Sequence, residues 1–467
     1  MRRSLLGAGL LAGVALLGGC ASILEDSGVA AVQEDVSRRV GKPAPRIRSE
    51  EDAASARSRT RALLARPLDL DAAVEVALLN NRGLQAAYDE LGLSAAAMTR
   101  ALTPPNPGLS YSRLRRGGIV EIERGYAFDL LGLLTLPVTA AIEERRWEQA
   151  KLRTAEAVVR TASDTRRAWY EAVAAGQVLT YMRQVQDSAD AAAELARRLG
   201  HTGAFGRLEQ ARHILFKAEA AAGLARSQIA ATAARERLTR LLGLWGEEAS
   251  FRLPDRLPEL PEYIPDRREI EATAIAGRAD IRLAKLEVEG LARSYGLTQA
   301  TRFINVLEGS WMVNSETGEP RQRGWEVSLS IPLFDFGTTR AAEAENTYRA
   351  AANRLAELAV DARSETREAW EAYRIGHDLA RHYLSTIVPA RQAISEENLL
   401  RYNGMLVDPF ELLSDARDQI AGVIAAIQAQ RDFWLAGAEL ETVMTSGSPR
   451  ALRAAADAVP SRAGAAH

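Results

Sequence analysis

The chain has one cysteine, Cys20, among its 467 residues. A single thiol excludes a disulfide framework within the chain and a thiolate metal site. Its five histidines are scattered, and His377 and His382 stand apart without the glutamate of a zinc-binding helix. With no nucleophile elbow and no phosphate loop, neither an enzyme nor a bound cofactor is expected. An excess of one charge is missing too. The 59 Lys and Arg against 61 Asp and Glu leave a net −2, so no field steers the chain toward nucleic acid. Beyond the first 20 residues there is no apolar run of about 18, and a further membrane crossing, if made, is not made by a helix. Aromatics are only 6% of the residues and alanine is abundant, which suits long helices packed closely.

What is present begins with the position of that cysteine. Arg2 and Arg3 precede an apolar run from Leu5 to Leu17, then Gly18, Gly19 and Cys20. About 13 apolar residues are too few to span a bilayer and read as a secretory signal, residues 1–19. Leu17-Gly18-Gly19-Cys20 resembles the bacterial lipobox, which implies cleavage before Cys20 and its acylation. Several acyl chains give stable anchoring where one does not. Ala21 is not the aspartate of inner-membrane retention, so the resemblance implies the outer membrane, facing the periplasm. An ordinary signal peptide with an incidental cysteine is the alternative.

Residues 20–66 are polar, with KPAPR at 42–46, and are expected as a lipidated linker over a surface with a helix from about Glu50. The tail 446–467 reads as disordered. Between them three landmarks recur at a shift of roughly 200 residues, too long for a solenoid period. NNRGLQAAYDELGLSAA (80–96) parallels GRADIRLAKLEVEGLARS (277–294). TRRAWYEAV (165–173) parallels TREAWEAYR (366–374), setting Trp169 against Trp370 as packing anchors. GRLEQARHIL (206–215) parallels FELLSDARDQI (410–420), setting Ala211 against Ala416. Two copies of one unit are expected, 67–245 and 267–445, with a linker at 246–266.

Each unit reads helix, two strands, long helix, turn, helix. In the first, helical spacing covers 82–102, ended by TPPNP, and strands follow at 109–114 and 119–131. Val120, Ile122, Tyr126, Phe128 and Leu130 fall on one face, with Glu121, Glu123 and Asp129 on the other. Helices are expected at 138–199 and 206–243. At 1.5 Å per residue the longer one would reach roughly 90 Å. In the second unit a helix at 280–301 precedes strands at 304–313 and 324–334. A helix from Gly337 to Asn403, bent at Pro389, precedes one at 410–443.

Four two-faced strands fit an outer-membrane wall but cannot close it. An open edge in lipid costs several kcal/mol for each unpaired group, and the smallest membrane barrels have about eight strands. Two copies would give a filled barrel of eight strands and three a twelve-stranded pore. Soluble hairpins packed on helix ends are the alternative.

The order helix, PPNPGLSYS, hairpin, long helix, turn, helix, with SLSIPLFDFG before the second long helix and RYNGMLVDPFELLSDAR at the second helical turn, resembles the TolC-type outer-membrane efflux proteins. The resemblance covers about residues 67–445. It implies a mainly α fold, long antiparallel helical hairpins forming an α-barrel. Four β-strands per protomer would contribute to a trimeric 12-stranded β-barrel. It implies a homotrimer set in outer-membrane lipid, docked on a periplasmic adaptor (membrane fusion) protein and an inner-membrane efflux pump. The function implied is a passive conduit. It also implies roles by position. Gly200, His201, Thr202, Gly203 and Gly404, Met405, Leu406 are the adaptor-contact tips. Asp415, before Ala416, is the periplasmic gate, with Tyr402 and Arg401 as further gate residues. The chain departs from the family pattern in about two extra residues between Gly404 and Ala416, Pro409 among them, and in His201 and Gly203 at the first tip. A periplasmic adaptor lipoprotein would show one helical hairpin and many strands, and a non-conducting scaffold of the same fold would differ only in conductance.

Overall fold

The structure is a computed structural model that describes residues 26–264, 270–304, 306–404, 406–407 and 409–447. Cys20 and Met405 lie outside the described residues. The helices are α1 (Val29–Val40), α2 (Glu50–Leu64), α3 (Leu70–Asn80), α4 (Arg82–Leu102), α5 (Leu130–His201), α6 (Arg207–Leu242), α7 (Ile270–Gly277), α8 (Ala279–Thr301), α9 (Thr338–His382), α10 (Val388–Asn403) and α11 (Pro409–Thr445). The strands are β1 (Gly108–Arg116), β2 (Ile119–Asp129), β3 (Val306–Glu316) and β4 (Gln322–Ser330). The chain divides into two compact units.

One unit comprises the residues up to Asp35, Ala86–Ala155 and Ala279–Val360. Its centre is one antiparallel sheet in the order β1-β2-β3-β4, which leaves β1 and β4 as edges. The register sorts the side chains by chemistry. Leu109, Tyr126, Trp311 and Trp325 share one row across all four strands, and Tyr111, Arg124, Val313 and Arg323 share the next. Phe128, Gly309 and Val327 follow on the same face, then Leu307 with Leu329. The opposite face carries Glu121 beside Glu316, Asp129 beside Glu308, and Glu123 and Glu326. This segregation is the period-two pattern of the sequence made spatial, because successive side chains of a strand point to opposite faces.

The strands differ from the sequence expectation at several ends: β1 runs on to Arg116 and β3 to Glu316, and the two larger differences follow β2 and β4. The helix after β2 starts at Leu130, not Val138. Asp129 accepts a bond from the Gly132 N–H at 2.7 Å, which starts the helix, and Pro137 lies inside it. Strand β4 stops at Ser330, four residues short of the expected end. Pro332 has no donor for a ladder, and Asp335 accepts from Gly337 N–H at 3.0 Å to build a turn. Gly337 is required there. Its φ is +70°, and a Cβ would meet the Arg302 carbonyl oxygen at 2.2 Å. Away from the sheet this unit buries Val32, Tyr88, Leu91 and Ala95.

The second unit comprises Val36–Gln85, Glu156–Arg278 and the chain from Asp361 onward. Its largest core gathers Leu63, Leu68, Val76, Trp169, Val173, Leu238, Leu242 and Ile427. Trp169 is 3% exposed, and its indole N–H donates to the Leu68 carbonyl at 2.8 Å. Trp370, its counterpart in the sequence, is only half-buried, against Tyr373. The segment expected as a surface linker is largely helical. Helix α2 is closed by a reciprocal cap, Ser49 with Asp52, and it buries Ala56, Thr60 and Leu63. Val36 of α1 is fully buried. The 246–264 stretch is a packed strap. Pro258 O accepts from Gln430 and Trp434, and Pro261 O is 2.8 Å from His377 Nε2.

Close to Pro389, where a bend was expected, a π-turn at Tyr383–Ile387 separates α9 from α10. Proline offers no N–H to the fourth carbonyl before it, and the wider turn absorbs the mismatch, with Val388 N–H bonding back to Tyr383 O.

Candidate functional site

The first helical turn joins α5 to α6 through residues 202–206. Gly203 holds φ +78°, a conformation that other residues adopt at a cost. The Leu199 carbonyl accepts the Ala204 N–H at 2.9 Å and the Thr202 hydroxyl at 2.9 Å, which satisfies the frayed end of α5. Gly200 faces Gln210, whose amide reaches Phe205 O at 3.3 Å. His201 Nε2 lies 3.2 Å from Arg197. Glu194 receives both Arg197 and Arg198 at 2.8 Å, and these bonds hold its carboxyl down to about 2.

The second turn joins α10 to α11. Gly404 ends α10 at φ −83°, and a Cβ there would meet nothing nearer than 3.5 Å. The two tips therefore use glycine differently. The first needs its left-handed freedom at Gly203, whereas the second does not need it at Gly404. Leu406 bonds back to Arg401 O at 2.8 Å and exposes 76% of its surface.

The three residues that the resemblance implies for a gate lie in different surroundings. Arg401 pairs with Glu397 on its own helix at 3.1 Å. Asp415 accepts from the Asn398 amide at 2.5 Å, an α11-to-α10 contact, and among the described residues it has no cationic partner. Its neighbours on α11 are paired: Asp418 with Arg391 at 2.6 Å, and Arg417 with Glu219 at 2.9 Å. Tyr402 points elsewhere, into a cleft of about 690 Å³ between the two hairpins. Tyr181, Val185, Phe205, His213, Leu413 and Ala416 line it as well.

His213 was not singled out by the sequence. Its ring stacks on Phe205 at 5.9 Å, and neither ring nitrogen has a hydrogen-bond partner. Burial lowers its pKa, since an imidazolium there would lose solvation without gaining a partner. The signal was two-dimensional. His213 sits one turn from an aromatic, but the cleft exists only once α5, α6, α10 and α11 are brought together.

Among the described residues no helix is long and apolar enough to cross a membrane. The same residues make two long helical hairpins and four strands, a count unlike the single hairpin and many strands of an adaptor.

No family model matches the sequence, and neither does any curated protein sequence. Solved structures do match. The CmeC outer membrane channel of Campylobacter jejuni superposes with a TM-score of 0.70 at 15% identity, over 83% of this chain and 88% of that one. The outer membrane protein VceC of Vibrio cholerae gives 0.68 at 15% identity, over 81% and 96%. The outer-membrane channel OprN gives 0.68 at 20% identity, over 81% and 90%. At such identities the likeness establishes the fold: this chain is folded as these outer-membrane channels are.

Proposed function

We propose that the chain is the outer-membrane channel of a tripartite efflux system, a homotrimer that conducts substrates passively out of the periplasm. The observation that carries this is the sheet. It is open at β1 and β4. One face is apolar and aromatic with arginines only toward the hairpin turns, and the other is rich in carboxylates. Such a sheet is stable in lipid only when its edges are paired, and identical copies supply identical complementary edges. Three copies bring twelve strands, with the carboxylate face lining water and the aromatic face meeting lipid. The likeness to solved outer-membrane channels supports the same reading.

In this reading the tips at Gly200, His201, Thr202 and Gly203, and at Gly404, Met405 and Leu406, receive a periplasmic adaptor, which couples the tunnel to an inner-membrane pump. Asp415 is the gate carboxylate, repeated three times about the axis. Its freedom from any cation among the described residues supports that role, since a charge neutralised within its own protomer would add nothing to such a ring. Cys20 is acylated and tethers the N-terminus to the outer membrane.

Native mass spectrometry of the detergent-purified chain and single-channel recording in a planar bilayer test the reading together. A trimer that conducts is expected. A strictly monomeric species with no conductance overturns it, and a silent trimer reduces it to a scaffold.

A further inference from the structure

The sheet segregates charge by sign as well as polarity from apolarity. The carboxylate face holds Glu121, Glu123, Asp129, Glu308, Glu316 and Glu326, with Arg116 as its one arginine. The aromatic face holds four arginines and no carboxylate. Those arginines are not scattered along the strands. Arg124 and Arg323 stand in one row, Arg113 is in the next and Arg115 is in the one beyond, all toward the two hairpin turns.

The row of Tyr126, Trp311 and Trp325 separates two chemistries on this face. Below it lie Phe128, Val327, Leu307 and Leu329. Above it every row that follows contains an arginine. Each step of two residues along a strand is about 7 Å, so the first guanidinium row sits about that far above the indoles.

Among the described residues Arg113, Arg124 and Arg323 have no ion-pair partner, and Arg115 has only the Gly117 carbonyl at 3.3 Å. Arg113, Arg115 and Arg323 are exposed. An arginine on the lipid-facing side of a barrel is costly at the bilayer midplane and nearly free at the interface. Tryptophan and tyrosine settle at the interface themselves. The aromatic row therefore marks the boundary of the hydrocarbon, and the arginine tier lies in the headgroup layer above it. There a planar guanidinium finds its best-matched anion, a phosphate that it can grip with two parallel N–H bonds.

We propose that Arg113, Arg115, Arg124 and Arg323 form a docking surface for the phosphates of anionic membrane lipids, at the hairpin end of the barrel. This rests on the reading that the aromatic face meets lipid. It adds a lipid preference that a purely apolar belt would not have. The charge complementarity is one-sided by construction: no carboxylate on that face competes for the guanidinium groups, and none repels the phosphates.

The test is native mass spectrometry of the full chain released from bilayers of phosphatidylcholine mixed with phosphatidylglycerol, with conductance recorded in the same mixture. The expected result is preferential retention of phosphatidylglycerol, weakened about fivefold for each arginine replaced by glutamine. The variant Arg113→Gln/Arg115→Gln/Arg124→Gln/Arg323→Gln should lose the preference. The milder Arg113→Gln/Arg323→Gln, confined to two exposed side chains, should lose a large part of it. Arg116→Gln, on the carboxylate face, should keep it. Equal retention of the two lipids by a conducting wild-type channel overturns the docking surface and leaves the conduit standing. So does a preference unchanged in the double variant, or one lost in Arg116→Gln. A wild-type chain that neither inserts nor conducts removes the docking surface and the conduit together.

Discussion

The break between α3 and α4 at Asn81 and the break between α7 and α8 at Arg278 are the same backbone construction made with different chemistry. In each, one residue separates two helices. Its N–H donates at 2.9 Å to the carbonyl four residues back, Ala77 in one case and Ala274 in the other. Three residues on, Leu84 and Ile281 are both 2% exposed. In each, a glycine lets the end of another helix approach: a Cβ on Gly243 would meet Asn80 O at 2.6 Å, and one on Gly277 would meet Met444 O at 3.1 Å. The side chain at the break differs. Asn81 accepts from Leu84 N–H and donates to Leu241 O, both at 3.1 Å. Arg278 is fully buried and pairs with Glu365 at 3.0 Å. Equivalent backbones thus share their geometry while neutral hydrogen bonds support one and a buried ion supports the other.

Breaking the ionic version should have the largest effect. Arg278→Met keeps the aliphatic bulk but leaves Glu365, 22% exposed, without its cation. A loss of about 3 kcal/mol is expected in chemical denaturation of the purified protein. Arg278→Met combined with Glu365→Leu should recover most of that loss, because replacing a buried pair with apolar groups is often neutral. If the double variant is no more stable than the single one, the pair is not what supports this break. The neutral version should be cheaper to remove. Asn81→Ala forfeits a cap and a bond to a helix end, and about 1 kcal/mol is expected by the same assay. A reversal of that order would mean that the two breaks do not carry equal loads.

Much of this was legible in the sequence because it rests on local rules. The spacing of Leu84, Ala87, Leu91 and Ala95 and the TPPNP stop bound α4 at Arg82–Leu102, and period two placed all four strands. The misses were places where one side chain outvoted the pattern. Asp129 starts α5 eight residues before the expected helix, and Asp335 with Gly337 ends β4 early. The packing of the 29–64 segment was invisible, because its buried residues are a few valines and alanines, a threonine and Leu63 within a polar run. Among the candidate residues, tip positions followed from glycine punctuation. The cleft that takes Tyr402 and His213 needed helices about 200 residues apart in sequence, and the full arginine tier needed the pairing of β2 with β3.

The two tips offer a finer contrast. Gly203→Ala forces an L-residue to φ +78° and should cost about 1 kcal/mol, although open space surrounds it. Gly404→Ala at φ −83° should change stability by less than about 0.5 kcal/mol. Thermal denaturation of the two variants side by side reads the difference directly, and equal losses would show that the second tip also depends on glycine.

The smallest expected effect separates the tips by pH. Among the described residues, only the first hairpin contributes a histidine to the cleft between the hairpins. Burial holds the His213 pKa below its ordinary 6.5, so the unfolded chain takes up that proton more readily than the folded one. Stability should therefore fall as pH drops through the unfolded value and stop falling below the folded one. Glu194, held near 2 by its two arginines, keeps its charge throughout that window and adds a constant contribution that is lost only in stronger acid. His213→Phe preserves the stack on Phe205 and removes the titration. Its denaturation midpoint should be flatter than that of wild type between about pH 7 and pH 5, while the two proteins differ little in slope above pH 7. Identical slopes across the acid window would place the pH sensitivity of the fold elsewhere than this cleft.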